Sequence, residues 1–286
     1  MSGKLFLVGT PIGNLGDITY RAVKTLESVD FICAEDTRVT AKLLNHLDIK
    51  KQLISYREHS TENDILRIVE KIVSGKTAAE VTDAGMPSVS DPGTRLVSAC
   101  INAGIEVDVI PGPTALTTAA AISGMNISRF AFEGFLSVSK KQRFEHLNSL
   151  SEDRHALIFY EAPHKLLTTL SDFLDVFGDR KITVCRELTK LHQEVLRTTV
   201  SGAIETFLHR PPKGEFVLII EGFIPPKAEI TSDSLADAAE YAISLINDGK
   251  KMTEACKLSA EKYEMKKSDI YNKITELTVT ELTEYY

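Results

Sequence analysis

Apolar residues in the first half of the chain fall in short runs of four to six, separated by stretches with a helical period. "LFLVG" (5–9), "DFICA" (30–34), "QLISY" (52–56), "TAAEV" (77–81) and "IEVDVI" (105–110) have the length and composition of strands. "RAVKTLESV" (21–29), "DILRIVEKIVSG" (64–75) and "TRLVSACINAG" (94–104) repeat apolar positions at i, i+3, i+4 and i+7, the pattern of helices with one buried face. Strands alternating with helices predict an α/β domain with a mainly parallel sheet covered on both sides. Ligands of such sheets gather at the carboxyl ends of the strands.

A second cycle begins near Arg129. "RFAFEGFL", "HALIFYEAP", "KITVCREL", "EVLRTTV" and "EFVLIIEGF" read as strands, with helices at about 140–151 and 163–177. "SGMNIS" (123–128) is the joint between the cycles, and "IPPKAEI" (224–230) reads as a linker. The pattern then turns all-helical through "LADAAEYAISLINDG", "TEACKLSAEKY" and "KKSDIYNKITEL", with Ser268 placed to cap the last helix. The expected organisation is two α/β domains, 1–123 and 124–224, and a small helical domain, 225–286, with a helix-turn-helix layout.

Composition narrows the function classes. At 43% apolar and 26% charged residues the chain reads as a soluble globular protein, and no apolar run reaches a membrane span. Its start lacks the features of a signal peptide, and Cys33, Cys100, Cys185 and Cys256 are widely separated. They read as reduced thiols, which suits a cytoplasmic protein without membrane partners. A net charge of −7 argues against a broad nucleic-acid-binding surface but leaves room for a local basic patch. Residues 250–273 supply one, with seven lysines against four acids.

The candidate chemistry sits at strand ends. The turn "GTPIGN" has neither the spacing of a dinucleotide fingerprint nor the Lys-Ser or Lys-Thr of a phosphate loop, and Pro11 removes a backbone donor. "SGKT" (74–77) is a helix stop followed by a strand rather than a phosphate loop. In "VTDAGMPSVSDPG", Asp91-Pro92 fits a helix start, whereas Asp83 beside Gly85 is placed to face a ligand. "VIPGPTALTTAAA" is a third strand-turn-helix junction, whose small residues permit close approach to a ligand or to the sheet. Charges cluster in "AEDTR" (Glu35, Asp36, Arg38), "FYEAPHK" (Glu161, His164) and "CRELTK" (Arg186, Glu187). The first reads equally as a solvated helix start capped by Asp36 or Thr37. No metal-ligand spacing or nucleophile elbow occurs.

"GTPIGNLGDIT", "AEDTR", "TDAGMPSVSDPG", "PGPTAL", "FEGFL", "FYEAPHK", "RELTK" and "GEFVLIIEG", in that order over residues 4–223, closely resemble the bacterial small-subunit ribosomal RNA methyltransferase I family of the tetrapyrrole-methylase-like superfamily. The resemblance implies two α/β domains with S-adenosylmethionine in the trough between them, and a homodimer. It implies 2′-O-methylation of a cytidine ribose in 16S rRNA near the decoding centre, with no metal. It also places Thr10, Pro11, Ile12, Gly13, Asn14, Asp83, Ala84, Gly85, Pro87, Thr114, Ala115, Tyr160, Leu188, Glu215 and Phe216 at the cofactor. For the reaction itself the candidates are Glu35, Asp36, Glu161 and Glu187 as proton acceptors, with Arg38 and Arg186 on phosphates. A tetrapyrrole-type small-molecule methylase of the same fold and a non-enzymatic RNA-binding module are the alternatives. One departure stands out: family members usually carry an aliphatic residue where this chain has Glu80, and Thr and Gly are frequent at Met86 and Ser88. A carboxylate inside a central strand costs several kcal/mol unless paired.

Overall fold

The computed structural model describes residues 3–89, 93–225 and 232–283. One compact unit runs to Phe223 and a second begins at Ile224.

The first unit contains two sheets. Strands β1 (Lys4–Val8), β2 (Phe31–Ala34), β3 (Gln52–Ser55), β4 (Ala78–Val81) and β5 (Glu106–Ile110) form a wholly parallel sheet in the order β3-β2-β4-β1-β5. Helices α1 (Tyr20–Ser28), α2 (Thr37–His46), α3 (Glu62–Val73), α4 (Thr94–Asn102) and α5 (Ala115–Ile122) follow β1 to β5 in turn. Strand alternation divides the core. Leu5, Cys33 and Ala78 pack under α3 and α4 with Ile68, Ile72, Leu96 and Cys100. Val8, Ile32, Ala34, Ala79 and Val81 pack against Ala22 and Leu26 of α1 and Leu44 of α2. Capping side chains start several helices. Asp36 accepts from Arg38 N at 2.8 Å, Thr61 and Asp64 form a reciprocal box, and Thr114 accepts from Thr117 N. Asp36, not Thr37, is therefore the cap in "AEDTR". Helix α4 starts after Gly93; Asp91 and Pro92 lie outside the described residues.

The second sheet is mixed. β6 (Phe130–Phe135) and β7 (Ala156–Glu161) are parallel, while β8 (Lys181–Arg186), β9 (Glu194–Thr199) and β10 (Phe216–Ile220) complete the order β6-β7-β10-β8-β9 with antiparallel pairings. Apolar periodicity reports burial but not strand direction, so this mixture was not readable from the pattern. Helices α6 (Lys140–Ser149), α7 (Leu166–Phe177) and α8 (Val200–His209) cover one face through Leu147, Phe173 and Phe207. The other face meets α5: Ala119 and Ala120 pack with Ile158, Cys185, Val217 and Ile219. The small residues of "PGPTALTTAAA" thus let a helix of the first half lie directly on the second sheet. Thr183 Oγ1 and Arg197 Nε add hydrogen bonds to Ser123 O, just beyond α5.

The second unit consists of α9 (Ser232–Asn247), α10 (Met252–Lys262) and α11 (Lys267–Thr283) around Ala238, Ala242, Ala255, Cys256, Ile270 and Ile274. Residues 226–230 of the proline-containing linker lie outside the described residues. Ser268 does not cap α11. The helix already begins at Lys267, and Ser268 Oγ is spent on Asp269 within the first turn. No helix among the described residues is long and apolar enough to cross a membrane.

Candidate functional site

The strand order places β4, β1 and β5 side by side, so the three glycine- and proline-containing turns at their carboxyl ends are neighbours. They are joined by backbone. Thr10 and Gly85 exchange hydrogen bonds in both directions, at 2.9 and 3.1 Å, and Thr10 Oγ1 donates to Thr82 O at 3.2 Å. Gly9 and Gly112 touch so closely that a β-carbon on Gly9 would sit 2.7 Å from the Gly112 Cα. Gly85, at φ +91°, takes the left-handed conformation that the turn requires.

These turns face the second sheet across a cleft of about 330 Å³, within the range of small-molecule sites. The first half contributes Ile12, Ala84, Gly85, Met86, Val89, Thr114 and Ala115. The second contributes Phe135, Tyr160, Glu161, Ala162, Pro163, Cys185, Leu188, Glu215, Phe216 and Val217. The halves also bond across it: the Tyr160 hydroxyl accepts from Leu116 N at 2.9 Å. Gly13 lies against the 188–190 turn, where a β-carbon would come within 3.1 Å of Leu188 O. Glu187 and Thr189, on either side of Leu188, both hold positive φ (50° and 65°), a strained arrangement that presents Leu188 to the cleft.

Of the residues nominated for a cofactor, Ile12, Ala84, Gly85, Thr114, Ala115, Tyr160, Leu188, Glu215 and Phe216 line this cleft. Thr10 is buried and ties the turns together, while Asn14 accepts from Gly16 N at 2.9 Å and caps a short 3-10 turn. Pro11, Gly13 and Pro87 are not among the lining residues, and neither is Asp83. Met86, Val89, Phe135, Ala162, Pro163, Cys185 and Val217 line it without having been nominated. Phe135, Ala162 and Pro163 lie inside motifs quoted above, at strand ends, which was the available signal.

The nominated charges divide into three groups. Glu161, at the end of β7, borders the cleft although it is buried; Ala162 N donates to Oε1 at 2.8 Å and Thr169 Oγ1 to Oε2 at 2.5 Å. Glu35, Asp36 and Asp83 gather instead at the ends of β2 and β4. Thr82 Oγ1 donates to Glu35 at 2.6 Å, and Asp36 N donates to Asp83 at 3.0 Å. Arg38 grips Asp36 through Nε and Nη2 and holds its carboxyl well below the usual range. Burial pushes Asp83 upward against the hydrogen bond from Asp36. The third group lies beside the cleft at Glu215. Burial raises Glu187, but Lys190 at 2.9 Å and Glu215 N outweigh it, so its carboxyl ends below the usual range. Arg186 binds Lys213 O at 2.6 Å and pairs with Glu194 at 3.4 Å. No group of three His, Cys, Asp or Glu among the described residues is arranged to hold a metal.

The cleft suits S-adenosylmethionine on its own chemistry. Broad apolar walls could take a purine, and Glu161 and Glu215, the two acidic residues of the lining, would complement cationic sulfonium and ammonium centres, Glu215 while also pairing with Lys190 at 2.9 Å. A polyphosphate would find no cradle of lysine and amides in that lining.

Comparison with known proteins agrees with this geometry. Residues 4–204 match the family model of tetrapyrrole (corrin/porphyrin) methylases. A Thermotoga maritima protein named ribosomal RNA small subunit methyltransferase I is 51% identical over 220 residues, 77% of this chain and 99% of that relative. Proteins of the same name from Halalkalibacterium halodurans (46%, 94% of each chain) and Synechocystis (44%, 96% and 98%) match over nearly their full length. Among solved structures, a diphthine synthase superposes with a TM-score of 0.60 at 12% identity, covering 77% of this chain and 90% of that one. A Thermus thermophilus uroporphyrin-III-C-methyltransferase superposes at 0.55 and 19%, covering 76% and 94%. These two speak for the fold alone.

Proposed function

The chain belongs to the ribosomal RNA small subunit methyltransferase I family, within the tetrapyrrole methylases, and on that premise we propose that it methylates the 2′-hydroxyl of a cytidine ribose in 16S rRNA near the decoding centre, using S-adenosylmethionine. The observation that carries the mechanism is the position of Glu161. Among the four carboxylates considered as proton acceptors, it is the one that lines the cleft.

The bound cofactor would supply an electrophilic methyl group on a sulfonium, with a neutral thioether as leaving group. The protein's tasks are then orientation and proton removal. Ile12, Gly85, Ala115, Leu188 and Phe216 would hold an adenosyl group between apolar walls, and Glu215, paired with Lys190, would add a carboxylate beside it. Glu161 is held by Ala162 N and Thr169 Oγ1, one donor on each oxygen, which leaves a lone pair on each to receive the ribose proton. Its rigid placement fixes where the 2′-oxygen must lie. Arg38 is exposed but committed to Asp36, so phosphate binding there would compete with that pair.

The direct test incubates the full-length protein with radiolabelled S-adenosylmethionine and either 30S subunits or porphyrin precursors, then maps the label. The reading expects one 2′-O-methylated cytidine in 16S rRNA. Label in the porphyrin instead, or in neither substrate, overturns it.

A further inference from the structure

A second cavity, of about 230 Å³, opens beside the cofactor cleft and shares Glu161 with it. The ends of β6 and β7 form the partition: Phe135 lines the first cavity and Leu136 the second, while Ala162 and Pro163 face the first and His164 and Lys165 the second. Its polar lining includes Ser137, Arg143, Glu161, His164, Lys165 and Thr168, together with Thr169, whose hydroxyl is spent on Glu161.

Charge decides what this cavity can take. Arg143 donates from Nε to Asp172 at 2.6 Å, and both side chains are about nine-tenths buried, so the guanidinium is already neutralised. Lys165 and the Glu161 carboxylate bring opposite formal charges to the same lining, without an ion pair between them. With no surplus positive charge, the cavity would pay to desolvate a phosphate without recovering the cost. It is better matched to an uncharged group with both donors and acceptors. Arg143 Nη1 is spent on Ser137 O (3.1 Å) and Val138 O (3.3 Å), but Nη2 makes no hydrogen bond within the described residues. Lys165 Nζ is likewise uncommitted there, and the hydroxyls of Thr168 and Ser137 can accept. Phe135, 57% exposed and next in sequence to Leu136 of this lining, offers an aromatic surface of the kind on which an unstacked base rests.

We propose that this second cavity holds the cytosine base of the nucleotide being methylated, turned out of its stack, with the Watson–Crick edge read by Arg143, Lys165 and Thr168. Resting on the rRNA reading above, the assignment explains how the ribose is delivered. A nucleoside whose base occupies the second cavity has its sugar at the shared wall, where Glu161 stands between base pocket and cofactor. Enzymes that act on a single nucleotide commonly extrude it and pay the unstacking cost from such pocket contacts.

The test uses the full-length enzyme, 30S subunits reconstituted with C or with U at the methylated position, and three variants: Lys165→Met, Thr168→Val and Thr168→Trp. Thr168 is exposed in the first turn of α7, so its replacement leaves the core untouched. The expected result is unchanged cofactor affinity by calorimetry. Lys165→Met and Thr168→Val should each lower kcat/KM on C subunits about tenfold, as one lost hydrogen bond to the base would, and shrink the preference for C over U. Thr168→Trp, which fills the cavity, should abolish transfer. Wild-type kcat/KM and undiminished C-over-U preference in all three overturn the base pocket while leaving the rRNA reading intact. A wild-type enzyme that methylates neither kind of subunit overturns both.

Discussion

The side chains of Glu80 and Ser88 converge beside Gly93: a β-carbon there would fall 2.7 Å from Glu80 Oε1 and collide with Ser88 Oγ. Glu80 sits in β4, between β2 and β1, at 1% exposure, and neither of its oxygens nor Ser88 Oγ has a hydrogen-bond partner among the described residues. Burial pushes its carboxyl up to about 8, so it is largely a neutral acid at physiological pH. Cys33, Cys100 and Tyr56 lie near it without supplying a cation, and burial first, then the Glu80 carboxyl, makes them hold their own protons more tightly.

Stability should therefore fall as pH rises from about 4.5, where Glu80 ionises in the unfolded chain, to about 8, where it ionises in the folded one. The unfolded state sheds the proton first, so alkalinity favours unfolding; the total effect is on the order of 5 kcal/mol. Denaturant melts of the wild type and Glu80→Leu at pH 5, 6.5 and 8 would measure it. The variant should be the more stable protein at pH 8, and the difference should shrink toward pH 5. A difference independent of pH would mean that Glu80 is paired after all.

Cofactor affinity should depend on Gly85 more than on Asp83. A valine at Gly85 must hold φ +91°, at a cost of roughly 1–2 kcal/mol, and its β-carbon would lie 3.5 Å from Ile12 on the cleft wall. Asp83 is occupied by Asp36 N away from the lining. Calorimetry with S-adenosylmethionine should show binding weakened by Gly85→Val and nearly preserved in Asp83→Ala. The reverse order would move the cofactor toward the β2–β4 end.

The contrast between those two residues shows what the sequence could convey. Strand ends, turns and caps are local, and so β1–β5 and the glycine turns were legible from apolar runs and punctuation. Which turn residue reaches the cleft is set by register across the sheet. The Thr10–Gly85 bridge turns Thr10 inward and leaves Ile12 as the contact. Cys185 and Val217 line the cleft from antiparallel strands paired to each other, a pairing that no local pattern encodes. The second cavity was equally hidden, because its residues come from the β6–α6 and β7–α7 connections and the adjoining ends of α6, β7 and α7, and meet only in the fold.

Glu161→Gln should lose methyl transfer by about 10²–10⁴-fold while retaining cofactor binding, the range expected for removing a general base. Asp36→Asn and Glu187→Gln should fall far less, since both carboxylates serve ion pairs off the cleft lining. Single-turnover rates on 30S subunits with saturating cofactor would rank them. Near-normal turnover in Glu161→Gln would put proton removal on another group or on solvent.

The helical unit should contribute affinity for the subunit rather than catalysis. The Thermotoga relative is matched over 99% of its length by 77% of this chain, which leaves no counterpart for a stretch about the size of residues 224–286. The lysine-rich segment is also less free than its composition suggests. Lys250, Lys257 and Lys273 pair with Glu254, Glu261 and Glu276, and Lys262 sits 3.6 Å from the centre of the Tyr241 ring. Lys251, Lys266 and Lys267 are exposed and make no ion pair among the described residues. Three released counterions correspond to a salt slope of roughly 2–3 in log affinity against log salt. A chain ending at Phe223 should keep cofactor affinity and kcat, raise KM for 30S subunits, and flatten that slope. Replacing Lys251, Lys266 and Lys267 together by Gln in the full chain should reproduce the flattening. Equal KM for both proteins and the parent across a salt series would show that the unit plays no part in binding RNA.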